Sequence, residues 1–116
     1  MPMIALTLSI PPDNLALWKR ATAEMAGARR DAFAAAKRRQ GVQRQSVFLQ
    51  QGPEGPREIL IIEADDLGHA FETIRTSQEP FDVWLRETVL DIYKVDLSQP
   101  MGPPPEQFLA WSADEA

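Results

Sequence analysis

The sequence predicts an α+β fold, a four-stranded antiparallel sheet with helices on one face, in the order β-α-β-β-α(α)-β. Three observations carry this expectation. The opening run Met3 to Ile10 alternates with a period of two. The next stretch, to about Gln40, repeats its apolar residues every three or four positions. Between Gly41 and Ala64, two strand-like runs flank a segment dense in glycine and proline.

In the first strand Ile4, Leu6, Leu8 and Ile10 share one face, and Met3, Ala5, Thr7 and Ser9 share the other, which is small and semi-polar. Pro11 and Pro12 end it. Asp13 or Asn14 then caps a long helix whose stripe steps through Leu15, Trp18, Thr22, Met25, Ala32 or Phe33, and Ala36. Gly41 is its C-terminal glycine. Strand two follows as Gly41 to Gln51. On it Arg44 shares a face with Val42, Ser46, Phe48 and Gln50, while Gln43, Gln45, Val47 and Leu49 point the other way. Gln51 to Pro56 forms a hairpin loop.

Strand three, Arg57 to Ala64, contains the apolar run Ile59-Leu60-Ile61-Ile62, which suits a strand covered on both faces. Asp65 and Asp66 cap a short helix with the stripe Leu67, Ala70, Phe71 and Ile74. The chain breaks around Ser77 to Pro80 and restarts with proline in the first turn. Phe81, Trp84, Leu85, Thr88, Val89 and Ile92 mark this further helix to about Tyr93. Pro100 to Pro105 is a connector, and Glu106 to Ser112 is short, aromatic and alternating, the pattern of a final strand. No internal boundary divides residues 1–116, so a single domain is expected.

Composition limits the function classes. With 116 residues, 44% hydrophobic and 25% charged, the chain is globular and sized for one core. It has no cysteine, which excludes disulfides and thiolate metal sites and makes a cytoplasmic location the default expectation. Met3 to Ile10 is too short, and lacks the basic flank, for a signal sequence or a membrane span. Net charge is −5, unevenly spread: Asp13 to Gln45 holds eight Lys/Arg against three acids, and the remainder from Ser46 holds four against fourteen. Lys37, Arg38 and Arg39 sit in the last turn of the long helix, where cations complement its dipole. Basic residues do not interleave with aromatics, so nucleic acid is not an expected partner.

The element order is the split βαβ pattern of ferredoxin-like folds, with the second sheet face left uncovered by helices. Strand three is apolar on both faces, and a large exposed apolar patch marks an interface. A homodimer with sheets packed face to face is the expected cover.

The opening "IALTLSIPP", the helix end "AKRRQGVQRQSVFL", the junction "ILIIEADDLGHAFE" and the terminal "EQFLAWS" together resemble the dimeric α/β-barrel superfamily. In that superfamily two ferredoxin-like protomers pack their sheets into a shared barrel. The likeness is closest to small bacterial members known only as domains of unknown function. It covers nearly the whole chain, through element order more than through a diagnostic motif. The resemblance implies a barrel cavity holding a small apolar or aromatic ligand, or alternatively a monooxygenase-type enzyme, cofactor-independent or haem-dependent. Fold does not choose between them.

Candidate site residues follow from position. Arg29 lies between Met25 and Phe33 on or beside the helix stripe, with Glu63 a possible partner; together they would rim a pocket for an anionic or carbonyl-bearing ligand. The alternative is that Arg29 reaches water from the stripe's edge. Arg44 anchors a ligand if it faces a cavity and meets the other subunit if it faces the interface. Trp111 on the last strand faces a cavity or the partner, whereas Trp18 and Trp84 sit on core stripes. His69, the only histidine, lies off its helix stripe. Haem-degrading relatives pair a helix histidine with an asparagine and a tryptophan, but the only asparagine, Asn14, falls at a helix cap. No cofactor motif, phosphate loop or metal-ligand spacing is present in the sequence.

Overall fold

β3 (Gly55–Ala64) is the middle strand, and both other strands are built onto it. The computed structural model describes residues 2–100 and 102–115. In it β1 (Met3–Ser9) and β2 (Val42–Gly52) pair with opposite edges of β3, both antiparallel. A tight turn at Pro53 and Glu54 joins β2 to β3, and Gly55 takes φ 97°, a left-handed value that a side chain would strain. The crossover from β1 to β2 consists of α1 (Leu15–Ala26) and α2 (Arg30–Gln40), followed beyond β3 by α3 (Leu67–Thr76) and α4 (Pro80–Tyr93). Gly41 ends α2 at φ 71°, and Asp66 caps α3 by accepting from the His69 N–H.

The α+β class stands, but the four-stranded sheet does not: the described residues form a three-stranded sheet in the order β1-β3-β2. Residues 106–112 pair with nothing, and Phe108, Leu109 and Trp111 are 80–90% exposed. The ferredoxin-like assignment, and the dimeric barrel built from four-stranded sheets, are therefore corrected to a three-stranded α+β fold. The physical reason lies just upstream. Prolines 100, 103, 104 and 105 hold the chain extended, and each lacks the N–H that a ladder needs. Alternation alone makes a strand only where it can reach a partner edge.

Two further departures come from single residues. The long helix is broken at Gly27 (φ −122°, ψ −100°), and Arg29 instead donates its N–H back to Glu24 O at 2.7 Å. Glycine costs about 1 kcal/mol in a helix interior, and here the chain uses it to turn. In β2 a bulge between Val42 and Arg44 sets two residues against one on β3. Val42 thus joins the core beside Ile4 and Ile62, while Arg44 points to the opposite face.

All helices cover one face of the sheet. Ile4, Ile62 and Ala64 pack with Ala70 of α3, and Ile10 packs with Trp18, Ala21 and Ile92 where α1 meets α4. The helix-free face carries Met3, Ala5 and Thr7 of β1, Ile59 and Ile61 of β3, and Ser46 and Phe48 of β2, with Phe48 54% exposed.

Ending the chain after Pro105 should leave strand content unchanged by circular dichroism and lower Tm by less than about 2 °C. A loss of strand signal would return the last segment to the sheet.

Candidate functional site

Between the sheet and its helices lies a cavity of about 150 Å³. Leu6, Leu60 and Ile62 line it from below, and Phe33, Phe71 and Val89 from above. Among the described residues, four polar side chains line it: Lys37, Gln45, Glu58 and Tyr93. Apolar walls with a few convergent polar groups are the usual make-up of a small-molecule site.

Glu58 is there because of strand alternation. It shares the helix-side face of β3 with Leu60, Ile62 and Ala64, so the sheet that buries those residues buries a carboxylate too. Its Oε1 accepts from Trp18 Nε1 at 2.8 Å and from the Tyr93 hydroxyl at 2.6 Å. The indole N–H is shared, lying 2.8 Å from the Tyr93 oxygen as well. One carboxylate oxygen thereby joins α1, β3 and the last residue of α4. Asn14, before α1, reinforces the junction by donating to Ile92 O at 2.9 Å. Burial pushes the Tyr93 phenol far above its ordinary range, and the hydrogen bond and charge of Glu58 push the same way against the Trp18 N–H. The phenol is a proton donor at any physiological pH.

Lys37 enters from α2, one turn after Phe33. Its Nζ donates to Gln40 Oε1 at 3.1 Å and stands 5.1 Å from the Phe33 ring centre. Among the described residues no carboxylate comes within 4.0 Å of it. Burial draws its pKa down to about 8, opposed by the charge of Asp82. Asp82 itself is buried and already bound, accepting from Arg39 at 2.8 Å and from Ser77 Oγ at 2.5 Å. Gln45 Oε1, on the cavity wall, is buried without a hydrogen-bond partner. The lining therefore brings together an amine with no carboxylate in contact, an amide oxygen without a hydrogen-bond partner, and a phenol–carboxylate pair around an apolar space.

A larger open groove adjoins it, between β1, α3 and residues 97–100 and 102–104. Leu6, Phe71, Ile74 and Leu97 line both spaces, so they share a wall. The charged residues of the groove, Glu72 and Arg75, pair with each other at 2.6 Å.

The sequence-derived candidates lie elsewhere. Arg29 pairs with Glu24 at 2.8 Å and stacks 4.1 Å from the Trp84 ring centre, away from Glu63. The break at Gly27 explains this, because it takes Arg29 off the stripe to the start of α2. Glu63 stands instead 3.8 Å from Arg44 on the helix-free face, where Arg44 is 83% exposed. Trp111 is exposed on the final segment. His69 is exposed, with Nε2 3.2 Å from Arg39 O. Among the described residues no group of three or more His, Asp or Glu could hold a metal ion, and no helix is long and apolar enough to cross a membrane.

The local pattern does not single out Glu58 or Lys37. Counting by two from Ile62 reaches Glu58, and counting four from Phe33 reaches Lys37, so both fall on core-facing positions. The sequence pattern instead groups Lys37 with Arg38 and Arg39 as cations that complement the helix dipole.

Comparison with known proteins adds no identity: no family model, curated protein or solved structure matches the chain.

The Lys37 shift makes a stability prediction. The folded pKa lies below the unfolded value, so the unfolded state binds the extra proton between about pH 8 and 10.5 and stability rises with pH there. Urea unfolding from pH 8 to 9.5 should show a positive slope, up to about 1.4 kcal/mol per pH unit, that a Lys37→Met variant loses. Equal slopes in the two proteins would remove the burial of the amine.

Proposed function

We propose that this chain is a binding protein for a small apolar or aromatic molecule, about one ring in size, held in the cavity between sheet and helices. The observation that carries the reading is the chemistry of that cavity: among the described residues, apolar walls are interrupted by Lys37, Gln45, Glu58 and Tyr93. Cavities of this size take a single aromatic ring when their walls are apolar. The polar groups would orient one functional group of the ligand, and the walls would desolvate the remainder.

The proposal includes a homodimer across the helix-free sheet face. Ile59 and Ile61 lie at the centre of that face, with Arg57 toward one end of β3 and Glu63 toward the other, about 20 Å apart. A two-fold axis lying between the sheets and perpendicular to β3 reverses the strand. It sets Arg57 of each copy over Glu63 of the other and isoleucine over isoleucine. The alternative axis, parallel to β3, would stack like charges. Charge complementarity thus favours a second copy in one orientation.

Titration with benzyl alcohol, followed by tryptophan fluorescence, should saturate at one site per chain. Val89→Phe, which fills the cavity, should weaken that binding by about tenfold or more. Absence of saturation, or binding indifferent to Val89→Phe, would overturn the ligand site. Sedimentation at micromolar concentration should give two chains for the native protein and one for Ile61→Arg, and a native monomer would overturn the dimer.

A further inference from the structure

We propose that Lys37 is a nucleophile that captures a small aromatic or apolar aldehyde in this cavity as a covalent imine. The inference rests on the cavity being a ligand site and names the class of ligand it takes. Three features separate Lys37 from an ordinary structural lysine. Its side chain lines an apolar space, and its amine has no carboxylate within 4.0 Å among the described residues, its hydrogen-bond partner being the neutral Gln40 amide. Asp82 on α4 acts on the amine only through its charge, its Oδ2 being held by Arg39 and Ser77 while its Oδ1 is buried without a hydrogen-bond partner. The third feature is an unused acceptor on the same wall, Gln45 Oε1 of β2, available to an N–H or O–H formed during the reaction.

The charges around the cavity select a neutral carbonyl over an acid. A carboxylate ligand would meet Glu58 of β3 in the same low-dielectric space, and Arg39 is engaged with Asp82. Burial also lowers the Lys37 pKa to about 8, so the unprotonated form that attacks carbonyl carbon is about a tenth of the amine at pH 7 and about half at pH 8.

The chemistry balances without a cofactor. The Nζ lone pair adds to the aldehyde carbon, and a proton passes from nitrogen to the former carbonyl oxygen, giving a carbinolamine. The C–O bond then breaks, the oxygen leaves as water with a second proton, and a C=N bond remains. That second proton is the remaining N–H proton of the carbinolamine; the Tyr93 hydroxyl is committed to Glu58 and burial keeps the phenol protonated, so it plays no part in the transfer.

The test is reductive trapping. The full-length protein is incubated with benzaldehyde and cyanoborohydride near pH 8, and peptide mapping locates the benzyl group. The chain has only three lysines, Lys19, Lys37 and Lys94. Lys37 should be labelled about tenfold or more faster than the other two, with excess benzyl alcohol suppressing its labelling alone. Lys37→Arg and Lys37→Met should each abolish the fast phase, so the result does not depend on one variant folding. Even labelling of all three lysines, or no labelling at Lys37, overturns the proposal. If benzyl alcohol still saturates the cavity in that event, the binding reading survives; if it does not, both fail.

Discussion

The architecture depends on one buried carboxylate. Glu58 lies on the core face of the central strand, 8% exposed, where a charge without partners would be strongly unfavourable. Trp18 and Tyr93 make it tolerable, and in doing so they fix where two helices stand above the sheet. Each hydrogen bond to a charged group contributes about 1.5–3 kcal/mol, but only with both helices in place. The junction is therefore cooperative. It also has a geometric consequence: an indole, a phenol and a carboxylate occupy one end of the interlayer space, and Lys37 and Gln45 also border the remainder. A core built only of Leu and Ile at these positions would close on itself.

The two faces of the sheet divide the molecule's possibilities. Under the helices the strands hold a small space with a few poised polar atoms. On the other face the strands offer Ile59, Ile61 and Phe48 between Arg57 at one end and the Arg44–Glu63 pair at the other. The bulge at the start of β2 makes this division, because it lets Val42 enter the core while Arg44 leaves it. Without it, one of the two would stand on the wrong side.

Much of the fold was legible because the relevant signals are local. Alternation in β1, the Gly-Pro hairpin, Gly41 and Asp66 each act through their own neighbours, and each stands where pattern reading put it. What was not legible depends on contacts distant in sequence or on a single residue's geometry. Gly27 reads as a tolerated glycine in a periodic stretch, and nothing local says that α2 must turn there to deliver β2 to β3. Residues 106–112 alternate like a strand, yet pairing depends on where four prolines carry the chain. The bulge shifts the face of Val42 relative to Arg44, which period-two counting cannot anticipate. For the site, Arg29 reads as a charge on a core-facing stripe and Trp111 as a cavity-facing strand residue, because the break at Gly27 and the unpaired final segment have no local signal. The partners of Glu58 lie 40 and 35 residues away, and Lys37 differs from Arg38 beside it only in which way the helix turns it.

The claim that Glu58 holds the helices over the cavity is tested most directly by a double-mutant cycle on Glu58→Met and Tyr93→Phe, read by urea unfolding at pH 7. The expected coupling is about 1–3 kcal/mol, because each substitution removes the partner that justifies the other. Losses that add to within about 0.3–0.5 kcal/mol would mean that the carboxylate and the phenol act independently, and would contradict the claim.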